Sequence, residues 1–296
     1  MSNGAEGRRA DRKQGGGGKA GPASLVGEVA GKKGGSRGYR ASGDRFMGLT
    51  PGSADDTGHR LGAVLEIFSS YRFNRVLDLG CGDGNFSALL RDACCASEIY
   101  GIDASEKGVE LARARGVDAL CLDIDHADLP FEEGFFDAVF VGETIEHLFD
   151  PDHMLDEVHR VLVPQGILVL TTPNLASIHN RLALLLGFQP FPTNVSLRHS
   201  IGHMVEAEGD PVPCSDHLRV FTLGSLKAMI RLHGFDILSI RGSTAARGPI
   251  HREGLLWRIV ARAAWAMDRI ISMYPPLSFR VIVTARKVSD SAGAAT

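Results

Sequence analysis

The sequence predicts an α/β fold, a mostly parallel sheet with helices on both faces. Three observations carry that reading. Apolar runs of strand length alternate with helical stripes from residue 56 to residue 172, the rhythm of βα units. Residues 75–87 pass from a short apolar run through closely spaced glycines into helical spacing, a strand–glycine loop–helix start. Asp78, Asp103 and Asp123 fall at the carboxyl ends of three successive strand-like segments. That is the rim where open α/β sheets bind ligands.

The elements follow in order. Leu61, Val64, Leu65, Ile67 and Phe68 give a helical stripe within 56–72. Val76, Leu77 and Leu79 read as a buried strand, and Asp78 inside it is costly unless it finds a partner. Gly80, Gly82 and Gly84 alternate with Cys81 and Asp83, bringing bare backbone near a ligand. Helix 85–93, strand 98–102, helix 105–115 and strand 118–122 come next, then strand 136–141 and helix 151–162 with Met154, Leu155, Val158, Val161 and Leu162 inward. Strand 166–172 is stopped by Pro173. An insertion at 175–213 holds a short apolar helix, Arg181 to Leu186, and a polar loop with His199 and His203; its place past a strand end suits a lid or substrate-binding loop. His217 to Phe221, helix 222–233 and strand 235–240 restore the rhythm. A second insertion, 244–277, carries a helix at 252–272, and the last strand begins at Phe279.

The glycine pattern is G-x-G-x-G, because Asn85 stands where a dinucleotide fingerprint needs its third glycine. A dinucleotide enzyme, or a loop that only turns the chain, are the competing readings. Asp78 to Gly84 closely resembles the first motif of the class I S-adenosylmethionine-dependent methyltransferases. The segment from His217 to Thr222, a helix, and then His233 to Ile237 is similar to a common ending of that family. The resemblance spans about residues 56–286 and implies a Rossmann-like sheet with insertions after the fifth and sixth strands. It also implies that Asp78 with Gly80, Cys81, Gly82 and Gly84 holds the methionine part of S-adenosyl-L-methionine. Asp103 would take the ribose hydroxyls, Asp123 with Ile124 would meet the adenine, and Glu143 would also belong to this cofactor-binding set.

Glu143, Glu146 and His147 come directly after the strand ending at Val141. If this turn is helical, a spacing of three puts both carboxylates on one face with the imidazole beside them. With His217 as a fourth member, the group could hold a divalent cation. The E-x-x-E-H pattern resembles two metal-using groups of methyltransferases, those of ubiquinone biosynthesis and those acting on small-RNA termini. Mg²⁺ suits the oxygens and Mn²⁺ the imidazole. A metal-free acid–base or acceptor-binding role and a structural one stay open.

The bulk numbers bound the rest. A net charge of −3 argues against a surface wholly committed to nucleic acid. No apolar run reaches membrane-span length and no secretory core opens the chain, so a cytoplasmic protein is expected. Cys81, Cys94, Cys95, Cys121 and Cys214 are odd in number and lack C-x-x-C spacing, so they are expected to be reduced. Residues 1–45, glycine-rich and basic, and 289–296 read as disordered tails around a domain at 56–288.

The function expected is methyl transfer to an oxygen, less readily to nitrogen or carbon. A small or lipid-like acceptor suits the apolar insertions better than RNA suits the near-neutral folded part. A non-catalytic cofactor-binding module is the alternative from another class, and the intact acids speak against it. The helix at 252–272, with Trp257, Trp265 and four arginines along 252–269, fits peripheral membrane contact. The simpler expectation is that its apolar stripe packs on the sheet, or forms a lid or dimer contact. Oligomeric state has no signal.

Overall fold

A computed structural model gives the fold and describes residues 54–196, 199–204, 217–244 and 255–288. All of these belong to the second of two units, 1–39 and 40–296. The expected tails at 1–45 and 289–296 lie outside the described residues, as do 197–198, 205–213 and 245–254 of the insertions.

The order is α1 (Ala54–Ser69), β1 (Arg75–Leu79), α2 (Asn85–Cys94), β2 (Glu98–Asp103), α3 (Glu106–Ala114), β3 (Asp118–Cys121), β4 (Phe136–Gly142), α4 (Pro151–Val161), β5 (Leu162–Pro173), α5 (Ile178–Leu185), α6 (Leu223–Leu232), β6 (Phe235–Ser243), α7 (Leu255–Ser272) and β7 (Arg280–Lys287). The seven strands lie in the order β3-β2-β1-β4-β5-β7-β6. β1 pairs in parallel with both β2 and β4, so the winding reverses between β1 and β4. That crevice is where such sheets take ligands. β7 runs antiparallel between β5 and β6. The sequence shows the strand, but its insertion between two earlier ones needs long-range pairing that no local pattern encodes.

Side chains alternate across the sheet with the strand period of two. Leu77, Leu79, Val139, Val141, Leu168 and Leu170 face α4 and α6 through Met154, Leu155, Val158, Leu226 and Ile230. Val76, Ala138, Phe140, Ile167, Val169 and Ile282 face α1, α2 and α3 through Val64, Phe68, Phe86, Leu90 and Val109. Helix starts near the rim are capped as the sequence dictates. Asp150 accepts from His153 N (3.0 Å), and Ser105 from Gly108 N (3.1 Å). Ser177 accepts from Asn180 N (3.3 Å), and Thr222 with Ser225 forms a reciprocal box.

Of the readings open for the apolar stripe of α7, packing on the sheet does not hold in its described second half. There the buried side chains are Asp268 and Ser272, while the apolar Met267 and Ile270 stand exposed. Gly242 explains the close seating: a Cβ there would collide with the Ser272 carbonyl oxygen and sit 2.7 Å from Ser278 Cβ. The helix end therefore approaches β6 by backbone rather than by its apolar stripe.

Candidate active site

The glycine loop leaves β1 at the sheet's switch point. Gly80 and Gly84 have φ of 86° and 72°, a region costly for side chains. A Cβ on Gly80 would collide with Thr144 Oγ1, and one on Gly84 would lie 2.7 Å from Ala112. Thr144 Oγ1 donates to the Leu79 carbonyl (3.1 Å), so the ends of β1 and β4 are tied at this point. Cys81 N donates to Ile102 O (3.0 Å), and Asp103 accepts from Gly82 N and Ser105 N, both at 2.8 Å. One carboxylate thus bridges the loop after β1 to the loop after β2.

Asp78 is buried, and its partner is Ser87, whose Oγ donates to Oδ2 at 2.6 Å. Burial first, and Asp103's charge to a lesser extent, raise its pKa to about 7, against the Ser87 bond. Burial pushes the Cys81 thiol far up as well, so it is a neutral spacer packed against Gly101. Leu122 N donates to Asp103 O (3.0 Å), which brings the end of β3 beside Asp103. Asp123 lies two residues past β3, exposed, with Oδ2 3.0 Å from His126 Nδ1 and Oδ1 accepting from Asp125 N (3.1 Å). Ile124 packs part-buried against the core.

Glu143 and Glu146 do not share a face. Glu143 directly follows β4 in a left-handed conformation (φ 54°), and the short 3₁₀ turn starts only at Ile145 and ends at His147. The helical spacing expected from sequence therefore does not apply. Glu143 turns to two arginines: Arg60 Nη1 of α1 at 3.2 Å and Arg280 Nε of β7 at 2.9 Å. Thr171 Oγ1 also donates to it at 3.2 Å. Burial works against its charge, but the two guanidinium groups prevail and hold its pKa below the usual carboxylate value. With its oxygens so occupied, Glu143 stands apart from the cluster that the other three expected ligands form.

Glu146 is about 1% exposed. Its Oε2 accepts from Thr172 Oγ1 (3.0 Å), and its Oε1 has no hydrogen bond. Burial, then Glu143's charge, push its pKa well above the ordinary value. Its backbone carbonyl accepts from Leu218 N (2.8 Å) and Arg219 N (3.0 Å), which is what draws His217 to it. The His147 and His217 rings meet edge to face with centroids 4.6 Å apart. Glu146, His147 and His217 each offer a ligand atom, all within 4.8 Å of one another. Burial, then His147, bring the pKa of His217 down to about 4, so it is neutral at physiological pH. His203 instead fastens its loop, with Nδ1 3.1 Å from Gln189 O, and His199 N donates to Ser196 Oγ (3.2 Å).

The sequence alone missed Arg60, Arg280, Thr171 and Thr172. The paired threonines ending an apolar strand were a readable signal. The arginines carried none, since an arginine on a helix or strand start is ordinarily solvated. A cavity of about 530 Å³ lies at the other end of the sheet, lined by Tyr71, Asp137, Gln165 and Arg286, away from all of these groups.

Residues 77–170 match the family model described as a methyltransferase domain. The chain is 31% identical to a probable S-adenosylmethionine-dependent methyltransferase of Mycolicibacterium smegmatis, over 63% of this chain and 70% of that one. It is 32% identical to a ubiquinone biosynthesis O-methyltransferase of Bordetella pertussis, over 39% of this chain and 49% of that one. It thus spans about half the length of that second relative. In structure it resembles a SAM-dependent methyltransferase from Thermotoga maritima, described as a possible histamine N-methyltransferase, with TM-score 0.52 and 19% identity over 79% of this chain and 91% of that one.

Proposed function

The chain belongs to the S-adenosylmethionine-dependent methyltransferases, and from that premise we propose that it methylates a hydroxyl of a small or lipid-like acceptor. The observation that carries this reading is the Glu146–His147–His217 group, whose turn begins just after Thr144, the residue that abuts Gly80 of the glycine loop. A hydroxyl must lose its proton as the methyl arrives, whereas a free amine already has a lone pair to offer. A cluster that can take up a proton or hold a cation is what oxygen methylation requires. The O-methyltransferase relative from Bordetella pertussis supports the same choice.

The rim fits the cofactor. The loop backbone is open where Cβ atoms would clash, and Asp78 and Asp103 lie within it. S-adenosyl-L-methionine supplies the sulfonium-bound methyl, so that the carbon–sulfur bond breaks as the carbon–oxygen bond forms. The protein's own part is mostly alignment. Asp103 takes the ribose hydroxyls while it keeps the Gly82 and Ser105 N–H groups. Asp78 faces the ammonium end, and Asp123 with Ile124 flanks the base.

The three-residue group also fits a divalent cation. Oε1 of Glu146 is buried without a hydrogen bond, and a neutral His217 presents a lone pair. A bound Mg²⁺ or Mn²⁺ would lower the pKa of the acceptor hydroxyl. Glu143, clamped by Arg60 and Arg280, positions the turn rather than joining the donors.

The test is mass spectrometry of products from hydroxylated quinols, other phenols and total RNA, each incubated with enzyme and methyl donor. O-methylated small molecules are expected. Methyl incorporation into RNA alone, or into amines alone, would overturn the reading.

A further inference from the structure

The outward stripe of α7 is not isolated. His179 Nε2 near the start of α5 lies 3.6 Å from Asp268 Oδ1 of α7, joining the two helices from the two insertions. Phe191, from the loop after α5, stacks on Phe279 just before β7 with ring centroids 5.5 Å apart. Around these ties the two insertions expose large apolar side chains. Leu185 is 80% exposed and Met273 82%, with Leu186, Phe188, Met267 and Ile270 also open to solvent. A monomer seldom leaves so many exposed together without a use.

The stretches nearest these ties are mostly basic. Residues 175–204 contain Arg181 and Arg198 and no acid. Residues 255–279 contain Arg258, Arg262 and Arg269 and a single acid, Asp268, which faces His179. Arg262 and Arg269 are exposed, and Arg269 lies over the Trp265 ring at 5.0 Å. The remaining acids of the two insertions, Glu206, Glu208, Asp210 and Glu253, fall outside the described residues.

We propose that this face of α5 and α7 seats on the interfacial region of an anionic lipid bilayer. Exposed leucines and methionines with arginines and a tryptophan, on two helices joined by the His179–Asp268 pair, match the composition of interfacial helices. None of the described helices is long and apolar enough to cross a membrane, so the contact is with the surface. A second copy of the chain matches the patch less well. A two-fold contact would set these arginines against their own copies, and among the described residues of these segments Asp268 is the one acid and it faces His179. The face also adjoins the catalytic rim. Leu175 N, ahead of α5, donates to Phe221 O (2.8 Å), and Leu218 N, three residues before Phe221, donates to Glu146 O (2.8 Å). The inference stands without the choice of acceptor, since it concerns lipid binding and not methyl transfer.

The experiment is flotation of the full chain with vesicles of phosphatidylcholine alone and with about a third phosphatidylglycerol, at low and high salt. Binding to the anionic vesicles is expected, weakened by salt. The double variant Leu185→Glu, Met273→Glu changes two exposed positions and should lower partitioning at least about tenfold. Its affinity for S-adenosyl-L-methionine, measured by calorimetry, should match the parent and so report an intact fold. No binding at low salt, equal binding to neutral vesicles, or an unaltered double variant would each overturn the proposal. So would a wild-type dimer in sedimentation that the variant splits and that ignores lipid.

Discussion

Oε1 of Glu146 lies 4.0 Å from Nε2 of His217 and makes no hydrogen bond, although Glu146 is buried. A buried carboxylate oxygen without a partner costs free energy unless something else satisfies it. With His147 completing the group, a cation would do so. Calorimetric titration of the cofactor-loaded protein with Mn²⁺ should show binding that His217→Ala weakens at least about tenfold. A strong chelator should stop turnover, and Mn²⁺ or Mg²⁺ should restore it. Full turnover of metal-stripped enzyme would leave Glu146 and the imidazoles an acid–base role instead.

Glu143 should behave differently, because its carboxylate answers Arg60 and Arg280. Glu143→Ala leaves two part-buried guanidinium groups facing each other, a loss of about 3 kcal/mol. Urea denaturation would read it, with Mn²⁺ affinity nearly unchanged. The folded pKa of Glu143 is depressed. Its contribution is therefore present above the unfolded carboxylate value and fades as pH falls through the lower folded one. A variant as stable as the parent at pH 7 would show the clamp to be idle.

Asp78 makes cofactor affinity depend on pH. Its pKa of about 7 means the empty site is half protonated near neutrality. A ligand carrying ammonium and sulfonium charges favours the ionised form, so binding expels the proton. Affinity for S-adenosyl-L-methionine should rise about tenfold from pH 6 to pH 8, with proton release measurable by calorimetry in two buffers. Asp78→Asn should flatten that slope. A wild-type affinity flat across the range would remove Asp78 from the cofactor's charged end.

Asp103 has two duties, and its variants should separate them. Asp103→Ala removes the acceptor for Gly82 N and Ser105 N as well as the ribose contact. Cofactor affinity should fall by about 2–4 kcal/mol, and the melting temperature should fall too, because the loop loses its bridge. Asp103→Asn keeps one acceptor oxygen and should recover part of the stability but little of the affinity. An Asp103→Ala protein that melts lower and binds as before would make Asp103 a loop fastener only.

What could be read in advance was local. The run from Val76 to Leu79, the glycines and the acids after β1 and β2 are neighbours in sequence, so period and turn chemistry exposed them. Helix bounds held within a few residues, as for α3 at 106–114 against 105–115. What escaped was set by distant partners. Arg60 and Arg280 lie 83 and 137 residues from Glu143 (143 − 60; 280 − 143), and neither advertises its role. Glu143 and Glu146 looked like one helical face, but a left-handed residue before a 3₁₀ turn sent them apart. In α7 the apolar stripe was legible, while its outward direction depended on the Asp268–His179 pair and the close approach at Gly242.

His233 drew no role from sequence, yet it ties two helices. It caps the carboxyl end of α6, and its two ring nitrogens meet Asp156 Oδ1 at 2.7 Å and Asp152 Oδ1 at 2.9 Å, both on α4. Both nitrogens can donate only when the ring is charged. Burial alone would lower its pKa, but the hydrogen bonds and charges of Asp156 and Asp152 outweigh it and the pKa rises. A helix carboxyl end also favours a cation. The sign follows from linkage. The folded pKa exceeds the unfolded value of about 6.5, so this stabilisation is complete below that value and is lost as pH climbs through the folded pKa. Asp78, with a raised pKa of its own, also lowers stability as pH rises, but its effect is largely spent above about 7. The difference between the parent and His233→Gln isolates the tie. Urea denaturation should show a larger gap at pH 6 than at pH 9, and salt should narrow it because the two aspartates are mostly exposed. A gap equal at both pH values would mean that His233 bridges the helices as a neutral ring.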